Sequence, residues 1–174
     1  MAMGVDDTRD ARGMAVADFD NDGDLDIVIN SNQGGSSEPV PPVLLRNDIG
    51  HTRDRLVVDL TGIVSNRDAI GAKVVVHAVD KKKETIQLLR HVTAGGGYAS
   101  QNSKRLFFGL GSYSHIESLT VTWPSGKTHE FLNVATNQLV RISEDGELNM
   151  TSLLGHDVDL GNGDVATAAE VGVH

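Results

Sequence analysis

Met14-Ala15-Val16-Ala17-Asp18-Phe19-Asp20-Asn21-Asp22-Gly23-Asp24-Leu25-Asp26-Ile27-Val28-Ile29 is the stretch that decides the fold. Asp18, Asp20, Asp22, Asp24 and Asp26 put five carboxylates into nine positions, with Gly23 at the sixth. Side chains at positions one, three, five and nine, with the backbone carbonyl at seven, can converge on one hard cation, and the glycine supplies the sharp turn that aims them inward. Without an ion these like charges repel at close range. A solvated acidic turn would explain the acidity but neither the alternation of acid and spacer nor the glycine, so the spacing predicts a Ca2+ loop. Helices would have to flank an EF-hand, with a bidentate Glu at position twelve; that position is Ile29. The flanks here are short β-branched apolar runs, so the loop joins two strands.

Working outward, residues 31–42 are dense in Gly, Ser and Pro and read as a long loop. From 55 onward seven short segments alternate apolar and polar residues at intervals near ten: 56–61, 73–79, 84–91, 105–110, 118–123, 127–132 and 138–142. Leu56, Val58 and Leu60 point one way along the first of these, and Val57, Asp59 and Thr61 the other. No window between 55 and 143 carries a helical period, so the pattern predicts an antiparallel sandwich or barrel of about seven strands. The expected organisation is therefore an all-β chain. Residues 1–50 hold the Ca2+-loop hairpin, 51–145 the sandwich, and 146–174 a frayed or partly helical tail with no assignment.

Composition narrows the function. The 174 residues carry 24 acidic against 15 basic side chains, a formal net charge of −9. A phosphate backbone needs a basic face, so nucleic acid is excluded as a partner. The cationic run Lys81-Lys82-Lys83 falls between two strand segments and reads as a solvated turn. There is no cysteine and hence no disulfide or thiolate chemistry. No run approaches the ~18 apolar residues of a bilayer span. The first residues lack the basic start and apolar centre of a signal peptide, and the chain is expected to be a piece of a longer exported protein.

Several fragments imitate catalytic motifs without completing them. Ser125-Gly126-Lys127-Thr128 lacks the upstream glycine of a phosphate loop and precedes a strand, so it reads as a turn. Gly109-Leu110-Gly111 does not open a helix. The seven histidines show no metal-ligand spacing, and no Gly-x-Ser-x-Gly elbow is present. In Ser65-Asn66-Arg67-Asp68-Ala69-Ile70-Gly71-Ala72, Asn66 and Asp68 are expected to bond their own loop backbone, with Ile70 plugging the core and Gly71 starting the next strand. Tyr98, Tyr113 and Trp123 would line a shallow cleft if the chain bound carbohydrate.

Gly13 to Val28 resembles an FG-GAP (VCBS-type) repeat, a propeller blade with a calcium loop in its hairpin, and Val43 to Asp48 is similar to the segment closing such a repeat. That resemblance implies side-chain ligands from Asp18, Asp20, Asp22 and Asp26 and a carbonyl ligand from Asp24. The ordered motifs Ser65–Ala72, Gly96-Gly97-Tyr98-Ala99-Ser100-Gln101, Phe108-Gly109-Leu110-Gly111 and Val121-Thr122-Trp123-Pro124-Ser125-Gly126 look like the ASPIC/UnbV domain. In cartilage acidic protein-like and bacterial exported proteins that domain follows FG-GAP repeats. Together they imply the C-terminal part of a larger repeat protein: a calcium-binding, non-catalytic adhesion or recognition module, secreted or at the cell surface. Its partner would be a protein or a glycan, and the hairpin could pair with a second copy. Two alternatives stay open: a carbohydrate-binding or accessory module of an exported enzyme, and an accessory protein of natural-product biosynthesis.

Overall fold

The computed structural model describes residues 10–32 and 40–153. It contains eleven strands and a single 3-10 turn, Gly50–Thr52, with no α-helix among the described residues. The strands are β1 (Asp10–Ala17), β2 (Asp26–Asn32), β3 (Val43–Leu45), β4 (Asp54–Thr61), β5 (Lys73–Val79), β6 (Thr85–His91), β7 (Leu106–Gly111), β8 (His115–Thr122), β9 (Thr128–Val134), β10 (Gln138–Ser143) and β11 (Leu148–Ser152). They form three sheets, ordered β1-β2-β3, β11-β10-β4-β7 and β6-β5-β8-β9.

The last two sheets face each other as an open sandwich, not a closed barrel. Leu56, Val58, Phe108, Val140 and Ile142 of one sheet share a core with Val74, Val76, Ile116, Leu119 and Val121 of the other, all at 1% exposure or less. Alternation accounts for this: residues two apart along each strand lie on the same face. Trp123 closes one end, 2% exposed, its Nε1–H donating to Nδ1 of His129 at 3.0 Å.

Two features depart from the sequence expectation. The pairing is not purely antiparallel: β10 runs parallel to β4, Val140 beside Val58. Residues 148–152, expected in the tail, form β11, which pairs antiparallel with β10; residues 154–174 lie outside the described ones. Val57, on the opposite face of β4 from Leu56 and Val58, is also buried, at 1% exposure. With Leu139, Leu153 and Phe107 it makes a second small cluster, so β4 is covered on both faces.

Local turn chemistry matches the residue types. Lys81–Lys83 fall in the turn after β5, where the Asp80 carboxylate accepts the N–H groups of Lys82 and Glu84, both at 2.8 Å. Gly126 takes φ +90° between β8 and β9, and its N–H donates to the Trp123 carbonyl at 2.9 Å. Asn66 brackets Ile70, donating to its carbonyl at 2.9 Å and accepting its N–H at 2.8 Å. Asp68 instead pairs with Lys104. Ala69 and Ala72, both fully buried, take the core positions, and Ile70 packs at the core edge.

The three-stranded sheet is built differently. Met14, Ile29 and Val43 stand opposite one another across it, as do Val16, Ile27 and Leu45, yet none of the fully buried apolar residues belongs to β1–β3. Backbone contacts tie it to the sandwich: Val16 donates its N–H to the Asn102 amide oxygen at 3.0 Å, and its carbonyl accepts the Ser103 N–H at 2.9 Å.

Candidate metal centre

The acidic loop spans the β1–β2 hairpin. Asn21 at φ 60° and Gly23 at φ +90° turn the chain sharply, which folds alternate side chains toward one point. Carboxylate oxygens of Asp18, Asp20 and Asp22 come within 4.8 Å of one another, a cluster that could hold a metal ion. Asp20 and Asp22 are each 8% exposed. The loop also bonds itself: Asp18 Oδ2 accepts the Gly23 N–H at 3.1 Å, and Asp22 Oδ1 the Asp24 N–H at 3.0 Å.

Asp24 and Asp26 stand outside that trio. Asp26 is 1% exposed, and its two oxygens accept the N–H groups of Phe19 and Asn47, each at 2.8 Å. It thereby ties the start of the loop to the segment after β3. Asp24 is buried against Gly50, where a Cβ would come within 2.7 Å of its side chain; only glycine fits there.

The other Asp18 oxygen tests whether these residues suit a cation. Asp18 Oδ1 is buried and finds no hydrogen-bond partner among the described residues. Burial pushes the Asp18 carboxyl up to about 6; the Gly23 N–H opposes the shift, and the charges of Asp22, Asp20 and Asp26 add to it. Burial, then Asp22, also raises Asp20. Arg46 relieves this little, its guanidinium lying 3.9 Å from Asp20 but 2.5 Å from Asp48. An orphaned buried acceptor among like charges is the environment a bound cation would satisfy.

Sequence reading missed two residues. Arg55 of β4 is 6% exposed and donates from Nη2 to the Asp22 carbonyl at 2.5 Å and the Leu153 carbonyl at 3.4 Å. A Cβ on Gly23 would meet the Arg55 Nε at 2.6 Å, so this glycine serves a close approach as well as the turn. An arginine inside an apolar strand segment is the signal that could have found it, since such a side chain demands acceptors. Glu144, fully buried, receives the N–H groups of Ile63, Val64 and Ser65 on Oε2 at 2.6–2.7 Å and the Ser65 hydroxyl on Oε1 at 2.7 Å. Burial alone would raise its pKa; the bonds from Ser125, Ser65 and Ile63 outweigh it and hold the carboxyl well below the usual range. Nothing near Glu144 in sequence announces this. As for the expected aromatic cleft, Tyr98 is 77% exposed whereas Trp123 lies in the core, so the three rings do not line one cleft.

The fold and site define a β-sandwich carrying an acidic-loop hairpin. Residues 62–149 match the family model described as ASPIC and UnbV. The chain is 34% identical over 133 residues to human cartilage acidic protein 1, covering 76% of this chain and 18% of that protein. The mouse protein of that name is 35% identical over 116 residues, 66% of this chain and 16% of the relative, and the Xenopus tropicalis one 35% over 115. This chain thus belongs to the ASPIC/UnbV family and spans less than a fifth of the length of the curated relatives it matches. A candidate cell adhesion protein from Bacteroides uniformis, of known crystal structure, is 13% identical with a TM-score of 0.28, covering 83% of this chain and 91% of that one. A score that low carries no argument. No helix among the described residues is long and apolar enough to cross a membrane.

Proposed function

We propose that this chain is a non-catalytic recognition module that works outside the cell, with an FG-GAP-like hairpin stapled by Ca2+. The observation that carries the reading is the convergence of Asp18, Asp20 and Asp22 around a buried Asp18 oxygen that lacks a donor. Asp18, Asp20 and Asp22 would hold the ion through side-chain oxygens, joined in the FG-GAP pattern by Asp26 and the Asp24 carbonyl. An all-oxygen donor set, four carboxylates and one backbone carbonyl, suits a hard cation. The ion's part would be structural. A hairpin with no fully buried apolar residue is marginal in water, and neutralising its loop would couple metal binding to folding. Affinity between roughly micromolar and millimolar would suit calcium outside the cell. The partner would be a protein or a glycan.

The test is thermal melting of the chain in calcium and after chelation, with Asp20→Ala and Asp22→Ala as controls. The reading expects calcium to raise the melting temperature and both substitutions to abolish the rise. A melt indifferent to calcium removes it.

A further inference from the structure

The peptide between Asp22 and Gly23 is bonded at both ends. Its N–H donates to Asp18 Oδ2 at 3.1 Å, and its carbonyl accepts from Arg55 Nη2 at 2.5 Å. A peptide unit is planar and stiff, so its two ends cannot turn independently. One plane therefore joins the acidic trio, to which Asp18 and Asp22 both belong, to a side chain of the sandwich. Arg55 sits where β4 and β10 begin and β11 ends. Its backbone N–H donates to the Asn137 amide oxygen at 3.2 Å, and its carbonyl accepts the Asn137 N–H at 2.7 Å. The Asn137 carbonyl in turn accepts the Leu153 N–H at 2.9 Å, and the Leu153 carbonyl takes the longer 3.4 Å bond from Arg55. Leu153 packs with Val57 of β4 and Leu139 of β10. Gly23 leaves no slack between loop and sheet, since a Cβ on it would lie 2.6 Å from Arg55 Nε and 2.8 Å from Leu153 Cδ1.

A guanidinium at 6% exposure is costly unless acceptors surround it, and one of its acceptors belongs to the loop. Bonds from a charged donor are the stronger kind, and the planar fork of arginine reaches two acceptors where lysine offers a point charge. Bonds in a chain also polarise one another away from water. Whatever fixes the Asp18 and Asp22 carboxylates thus fixes the plane that Arg55 holds, and whatever loosens that end of the sheet loosens the plane. The bonds from Val16 to Asn102 and Ser103 also tie hairpin to sandwich, but they involve no acid of the loop.

We infer that Arg55 is a positioning residue that couples cation binding in the acidic loop to the stability of the whole sandwich. The inference rests on the calcium reading above and deepens it: calcium would set the stability of the fold, not of the hairpin alone. Trp123, the single tryptophan, lies in the sandwich core at 2% exposure. Its fluorescence reports melting of the sandwich, while calorimetric titration with calcium reports binding at the loop. The parent chain, Arg55→Met, Arg55→Lys and Glu144→Gln are each melted without metal and at about a hundredfold excess of calcium over their own Kd, where equal coupling gives equal stabilisation. The Trp123 transition of the parent should rise by several degrees. Both Arg55 variants should still bind calcium yet keep less than about half of that rise. Glu144→Gln, which weakens the sandwich at the other end of β4, should keep it in full. Where Arg55→Met fails to fold, Arg55→Lys, with the charge kept and the fork lost, carries the comparison. A merely structural Arg55 would lower both melts alike, so a full rise in the Arg55 variants overturns the inference. An equal loss in Glu144→Gln overturns it too, for the effect is then general destabilisation. Calcium that binds the parent and raises the melt read by circular dichroism, with the Trp123 transition unmoved, removes the coupling and leaves the calcium reading standing. A parent that binds no calcium removes both.

Discussion

Two buried carboxylate sites in this molecule titrate in opposite directions. Burial raises Asp18 to about 6, opposed by a single N–H from Gly23 and assisted by the charges of three more carboxylates. Glu144 is buried more completely, yet is held low because three backbone N–H groups and a hydroxyl point at it. Burial pushes both carboxyls upward, and the supply of donors decides whether that push prevails. Glu144 is complete within the protein, fastening the 62–66 loop to the end of β10. The acidic loop leaves Asp18 Oδ1 without a donor among the described residues, beside a carboxylate cluster that could hold a metal ion.

The largest expected effect comes from breaking the complete site. Glu144→Ala strands three N–H donors and should lower the melting temperature by roughly 10 °C. Glu144→Gln, which keeps an acceptor oxygen, should lose distinctly less. Equal losses would mean that the charge alone matters. Next comes completing the incomplete site: calcium at a hundredfold excess over Kd should add about 2.7 kcal/mol, read as a melting shift of several degrees.

The pH dependence then sharpens the contrast. In metal-free protein Asp18, with its folded pKa raised, contributes stability that is present below the ordinary carboxylate value and lost as pH rises through about 6. Glu144, with its folded pKa lowered, contributes stability present above its ordinary value and lost as pH falls below it. Metal-free protein should therefore melt highest between about pH 4 and 5, and calcium should move that maximum toward neutrality. A smaller effect follows from Asp18→Asn: without metal it should gain on the order of 1 kcal/mol, after allowance for screening, while losing its calcium response. Smallest is Lys104→Ala, which breaks an exposed ion pair with Asp68 and should change stability by less than about 0.5 kcal/mol.

The same contrast explains what could be read in the sequence. The acidic loop was legible because all its carboxylates lie within nine consecutive residues, and the strands β4 to β10 because alternation is local. Glu144 was not, since its donors sit some 80 positions away. The parallel pairing of β10 with β4 was hidden for that reason too. Residues 148–152 read as tail because Asn149, Met150 and Thr151 are exposed on an edge strand and carry no alternation. Trp123 looked like a binding platform because type alone does not tell a core ring from a surface one.

The place of β10 has a consequence for synthesis. It lies between β4 and β11, and the partner it needs was made some eighty residues earlier. While the ribosome has not yet released residues 138–143, β4 pairs only with β7, and its other edge shows bare amides and carbonyls. A nascent chain is most exposed to wrong strand partners during that interval, and final closure of the sheet must wait for a high-contact-order step.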